Sequence, residues 1–108
     1  MRAILALTSR AARLGDILTR LPGESQLFVS ERLQYDYPTA RILERPFGRF
    51  LANIWPCYDQ YVFIMAAGIV VRAIAPLIQG KRRDPAVVVV DEGGRFAVPV
   101  LSGHWGGA

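Results

Sequence analysis

The sequence predicts an α/β domain with a mainly parallel sheet, and three observations carry that prediction. Short apolar runs alternate with segments whose apolar residues recur at helical intervals, the order expected of strands joined by crossover helices. Two of the runs, Tyr61–Met65 (YVFIM) and Pro85–Val90 (PAVVVV), are apolar throughout, as in strands covered on both faces. The second is followed by Asp91-Glu92-Gly93-Gly94, a turn signal, and then by another strand-like run, which makes a C-terminal hairpin.

Taken in order, Arg2–Leu7 is a short apolar strand ending in Thr8 and Ser9, both good helix N-caps. Arg10–Leu21 spaces Ala11, Leu14, Leu18 and Leu21 as a helix does, and Pro22-Gly23 stops it. Gln26–Val29 reads as the second strand. Ser30–Pro46 is polar and reads as a long loop holding at most a short strand, either a place for mobility or substrate contact or an ordinary surface loop. Phe47–Tyr58 puts Phe47, Phe50, Leu51, Ile54 and Trp55 on one helical face. Strand Tyr61–Met65 leads through Ala66-Ala67-Gly68 into helix Ile69–Ile78; strand Pro85–Val90 and strand Arg95–Leu101 complete the chain. The sum is one domain over residues 1–108, a three-layer, Rossmann-like sandwich.

Ligands of such sheets collect beyond the C-terminal ends of the strands. That rule gathers Thr8-Ser9, Ala66-Ala67-Gly68 and one end of the hairpin. Because hairpin strands end at opposite edges, Asp91-Glu92 is expected at the binding edge and Ser102–Gly107 at the other, unless the chain bends.

A chain of 108 residues, 52% hydrophobic, has the size and apolar content for one cored domain. The net charge of +4 favours anionic partners, but no basic run is interleaved with aromatics, so nucleic acid is not expected. The longest apolar stretch is interrupted by Arg72 and Pro76, and the N-terminal one is too short for a secretion signal, so a cytoplasmic protein outside the membrane is expected. The single cysteine, Cys57, beside Trp55 and Pro56, reads as a small buried hydrophobe.

Chemistry-bearing motifs are few. SGHWGG has neither the lysine nor the spacing of a phosphate loop, and one histidine far from one cysteine makes no zinc site. Ser102, His104 and Asp91 form a triad only on paper, without a nucleophile-elbow pattern. The glycines around His104 either make a loose connection or bring backbone N–H groups close to an anion. Arg72 is either solvated or a carboxylate ligand near the start of its helix, and Lys81-Arg82-Arg83-Asp84 reads as a hydrated turn.

Read as a whole, Phe63–Ala108 (FIMAAGIVVRAIAPLIQGKRRDPAVVVVDEGGRFAVPVLSGHWGGA) closely resembles the N-terminal region of the cobalamin-biosynthesis CbiG family, the cobalt-precorrin-5A hydrolases. The shared features are a strand entering G-I-x-V-R, a basic turn with D-P-A-V-V-V-V-D-E-x-G, and L-S-G-H-x-G-G-A. The first half fits in pattern only. The resemblance implies the anaerobic branch of vitamin B12 synthesis. The reaction is opening of the ring A δ-lactone of a cobalt-bearing tetrapyrrole, with loss of a two-carbon fragment as acetaldehyde. Under it, the catalytic candidates are His104 as general base or acid and Asp91 or Glu92 to orient a water or the imidazole. Gly68, Ser102 and the amides of Gly103, Gly106 and Gly107 become candidates for substrate and oxyanion contacts. Arg72, Lys81 and Arg82 become candidates for the substrate's carboxylates. The cobalt belongs to the substrate, so neither a cofactor nor a protein metal site is expected. Family members continue past G-G-A, so further domains of a longer protein are expected partners, and self-association is expected if an apolar edge is left open. Two other readings stay open: a non-catalytic corrinoid-binding or domain-pairing module, and a generic anion- or nucleotide-binding domain.

Overall fold

A computed structural model of the chain describes residues 1–80 and 82–102, Ser102 by its backbone alone. Six strands form one sheet: β1 (Arg2–Ala6), β2 (Ser25–Val29), β3 (Arg41–Ile42), β4 (Gln60–Ile64), β5 (Ala86–Val90) and β6 (Ala97–Ser102). Their spatial order is β3-β2-β1-β4-β5-β6. All pairs are parallel except β5–β6, the antiparallel hairpin. Helices α1 (Ser9–Leu18), α2 (Phe47–Ile54) and α3 (Ala67–Ile74) cover it.

Side chains alternate between the faces of a strand, and both faces of the sheet are covered at the central strands β1, β2, β4 and β5. Ile4 and Ala6 of β1, with Leu27, Val29, Ile64 and Val90, pack against Ala11 and Ala12 of α1. Ala3 and Leu5, with Phe28, Tyr61, Phe63, Val87 and Val89, pack against Phe50 and Leu51 of α2 and Val70, Ala73 and Ile74 of α3. From β1 the chain crosses outward to β2 by way of α1; from β4 it crosses to β5, in the opposite direction, by way of α3. Right-handed crossovers then require helices on opposite faces. The three-layer sandwich with its C-terminal hairpin is therefore as expected.

The helices are shorter than their apolar spacing suggests. Helical periodicity continues through Pro56 and Pro76, but a proline inside a helix lacks the N–H and clashes with the preceding turn. Both helices instead stop after eight residues and tighten into 3₁₀ turns, Trp55–Cys57 and Ala75–Leu77, which place each proline at a tolerated position. Likewise α1 ends at Leu18, not Leu21. The Ser30–Pro46 loop contains a 3₁₀ turn, Glu31–Asp36, and the two-residue β3.

Cys57 is exposed, which corrects its reading as a buried hydrophobe. The turn around Pro56 faces it outward, while the neighbouring Trp55 and Tyr58 pack on the core. Trp55 stacks on Tyr61 with ring centroids 4.8 Å apart. The Tyr61 hydroxyl donates to the carbonyl oxygens of Ile54 and Trp55, at 2.8 and 3.0 Å, two of the groups that a helix C-terminus leaves unpaired. Burial, with Cys57 and Tyr58 nearby, pushes the Tyr61 phenol pKa up, so it remains a donor. Tyr61→Phe is expected to cost about 1 kcal/mol, because two part-buried carbonyls lose their donor; a lowered urea midpoint with unchanged slope checks it.

Candidate functional site

The strand order reverses between β1 and β4. The two connections leaving that point diverge, opening a crevice beyond the C-terminal strand ends. Three loops meet there. Thr8, after β1, is the N-cap of α1: its Oγ1 accepts from the Ala11 N–H at 3.1 Å. The same hydroxyl donates to Glu92 Oε1 at 2.7 Å, so the hairpin loop after β5 reaches over β4 to the start of α1. Between them α3 begins, with Ala66 as N-cap and Gly68 in the first turn. A Cβ placed on Gly68 would meet nothing within 4 Å, so the first turn faces open space.

Asp91 and Glu92, alike in sequence, have different surroundings. Asp91 builds the turn: its Oδ1 accepts from the Phe96 N–H at 2.7 Å and its Oδ2 from the Gly93 N–H at 3.2 Å. These donors, Phe96 foremost, together with Arg95, hold the Asp91 carboxyl below its ordinary 3.8. The folded-state value is the depressed one, so the stabilisation is present above pH 3.8 and is lost as pH falls through the lower folded value. Asp91→Asn is thus expected to flatten the acid limb of the stability curve below pH 4, read from urea midpoints across pH. Glu92 is half-buried and bonded to Thr8 alone among the described residues. Arg10 borders the same turn: its Nη2 lies 3.2 Å from where a Gly93 Cβ would stand.

The remaining candidates from the sequence do not join this edge. In β6, Ser102 pairs with Ala86, at the start of β5, so β6 ends at the opposite edge. Arg82 lies in the turn that precedes β5 at that same edge, where the buried Asp84 accepts from the N–H groups of Gln79 and Gly80 at 2.8 and 3.0 Å. Arg72 stands in the last turn of α3, which corrects its placement near the helix start; it complements the negative end of the helix. Lys81, Gly103, His104, Gly106 and Gly107 lie outside the described residues.

A cavity of about 780 Å³ adjoins the crevice beyond β1, β2 and β3, with Leu7, Ile42, Leu43 and Phe47 as apolar lining and Arg32 and Arg45 beside Glu31 and Glu44. Ser30 Oγ donates to the Leu7 carbonyl at 2.9 Å, and Arg32 approaches the same oxygen at 3.4 Å, which ties the Ser30–Pro46 segment to β1. A second cavity of about 580 Å³ sits at the opposite edge, lined by Trp55, Cys57, Tyr58, Gln79, Arg83 and Pro85 among others. Among the described residues no three His, Cys, Asp or Glu side chains gather to hold a metal ion, and no helix is long and apolar enough to cross a membrane.

Residues 49–108, from α2 through β6 to the end of the chain, match the family model described as cobalamin synthesis G N-terminal. The chain belongs to this family. The cobalt-precorrin-5A hydrolase of Priestia megaterium is 31% identical over 109 residues, covering 98% of this chain and 29% of that protein. The cobalt-precorrin-5A hydrolase of Salmonella typhimurium is 55% identical over 67 residues, covering 58% of this chain and 19% of that protein. The chain therefore spans less than a third of these relatives. A crystal structure of a cobalamin biosynthesis protein G homolog from Sulfolobus solfataricus has the same fold, with a TM-score of 0.69 at 24% identity over 97% of this chain and 30% of that one.

Within this cobalamin synthesis G N-terminal domain, sequence reasoning did not find Thr8 as a partner of Glu92, nor Arg10, Arg32 and Arg45 as the cations around the crevice. Thr8 already had a sufficient explanation as a cap. The three arginines are scattered along the chain, and only the strand order brings their loops to one edge. The polarity of Ser30–Pro46 was the one signal available.

Proposed function

We propose that this domain acts in cobalamin biosynthesis as part of a cobalt-precorrin-5A hydrolase. The reaction is opening of the ring A δ-lactone and release of acetaldehyde. The observation that carries this reading is the Priestia megaterium hydrolase, which aligns with 98% of the chain. In the reaction, water adds to the lactone carbonyl and the ring C–O bond breaks, leaving a carboxylate and a hydroxyl on the two-carbon bridge. Loss of that hydroxyl's proton forms the aldehyde C=O as the carbon–carbon bond breaks, and the electron pair left on the macrocycle takes up a proton. A base that removes protons and cations that hold the substrate's carboxylates suffice; the cobalt travels with the substrate.

Glu92 is the base in this reading, with a carboxylate oxygen left open toward the crevice. Arg10, Arg32 and Arg45 receive acetate and propionate groups, and the first turn of α3 at Gly68 faces the developing oxyanion. His104, with the amides of Gly103, Gly106 and Gly107 and the cations Arg72, Lys81 and Arg82, is the competing set. Of that set, Arg82 and Ser102 lie at the opposite edge of the sheet, where β5 begins. Acetaldehyde release from cobalt-precorrin 5A by Glu92→Gln and His104→Ala variants separates the two sets, because each variant removes the proposed base of one set.

One observation favours the non-catalytic, domain-pairing reading: Phe96, just before β6, and Val98 and Val100 within it are 66%, 56% and 36% exposed. If no form releases acetaldehyde while a polycarboxylated corrinoid raises the melting temperature, that reading replaces the hydrolase.

A further inference from the structure

We infer that Thr8 is a positioning residue: its hydroxyl holds the Glu92 carboxylate over the crevice between β1 and β4. The inference rests on the proposed role of Glu92 as base and adds the group that aims it.

Four observations support it. The Thr8–Glu92 bond, at 2.7 Å, joins residues 84 apart in sequence. Its donor is oriented, because the same oxygen accepts from the Ala11 N–H, leaving the hydroxyl hydrogen for Glu92. The backbone on the other side of Glu92 is fixed independently. Asp91 N–H donates to the Phe96 carbonyl at 3.2 Å, and Gly94 N–H to the Asp91 carbonyl at 2.9 Å. Finally, among the described residues nothing else bonds to Glu92, so Oε2 is left for water or substrate. A glutamate on a hairpin turn has three rotatable side-chain bonds. Fixing one carboxylate oxygen leaves the other with a narrow range of positions, which is what a base needs when misplacement by about 1 Å costs on the order of a hundredfold.

Helix capping alone is the competing explanation for Thr8, and substitutions separate the two. Thr8→Ser keeps cap and donor. Thr8→Asp keeps the cap acceptor but has no hydrogen for Glu92 and adds a like charge. Thr8→Val loses both. Acetaldehyde release by the 108-residue chain is expected to stay within about twofold of wild type in Thr8→Ser. In Thr8→Asp and Thr8→Val, kcat is expected to fall about tenfold or more with KM nearly unchanged, the pattern of a contact that matters in the transition state. Full activity in Thr8→Val with none in Glu92→Gln overturns the inference and leaves the hydrolase reading standing. Full activity in Glu92→Gln overturns the inference together with the role given to Glu92. If the wild-type chain alone releases no acetaldehyde, a double-mutant cycle in urea decides about Thr8. Thr8→Val and Glu92→Ala together costing less than the sum of the singles supports the clamp, and a simple sum overturns it.

Discussion

Replacing Gly15 with leucine is expected to abolish the cooperative unfolding transition. Gly15 is buried on the sheet side of α1, and a Cβ there would stand 2.7 Å from Leu27 Cδ1, 3.3 Å from Ile4 Cγ2 and 3.4 Å from Ile64 Cδ1. Those contacts belong to β2, β1 and β4, the middle of the sheet, so the helix backbone itself touches the core here. Alanine meets only flexible methyl ends. Its gain in helix propensity, about 1 kcal/mol, offsets part of an overpacking cost of about 1–3 kcal/mol, and Gly15→Ala should remain folded with a modest loss. Leucine adds three further carbons where there is no space. Helix α1 must then lift off and expose Ile4, Leu27 and Val29 to water, each buried side chain of this kind being worth about 1.5–3 kcal/mol. That total is comparable with the whole stability of a domain this size. Circular dichroism in urea measures it; a leucine variant with the wild-type midpoint would show that α1 does not dock through Gly15.

The same helix shows what is legible in a single sequence. Its start was readable because Thr8 follows an apolar strand and its side chain caps the next turn. The strands Tyr61–Met65 and Pro85–Val90 were readable because burial on both faces leaves no polar positions to confuse the pattern. The ends of α2 and α3 were not, since apolar spacing extends through Pro56 and Pro76 and only backbone sterics break the helix there. A short strand was allowed for within Ser30–Pro46, but its position was not readable: Arg41 and Ile42 are both exposed, and the segment is a strand only because β2 offers its edge. The edge carrying Asp91 and Glu92 followed from the parallel strand pattern and from the hairpin turn. The distinction between these two acids did not, because it depends on which partner each finds, and the Glu92 partner lies at the other end of the chain.

Topology also explains why the candidate groups divide. A parallel sheet sends every strand end to one edge, but the final antiparallel strand returns the chain to the opposite one. Residues near in sequence to the hairpin, such as Asp91 and Ser102, therefore end on different edges, while Thr8 and Glu92, far apart in sequence, meet.

Glu92→Gln tests that edge directly, and its expected effect on catalysis is the largest: a fall in acetaldehyde release of about 10²–10⁴-fold, the contribution of a general base. Glutamine has nearly the same shape, and its amide oxygen still accepts from the Thr8 hydroxyl, so hairpin and helix cap stay in place. What is lost is the ability to take a proton from water. KM should change little if Arg10, Arg32 and Arg45 hold the substrate, and circular dichroism and the urea midpoint should match wild type. Asp91→Asn is the control on the same turn. Its carboxylate is occupied by backbone N–H groups, so its removal should loosen the turn and lower kcat by much less than Glu92→Gln does. A ranking with Asp91→Asn more damaging than Glu92→Gln would assign the proton transfer to Asp91 and leave Glu92 as a strut. A fall of only a few fold in both, with His104→Ala inactive, would move the chemistry to His104 and its glycine-rich segment.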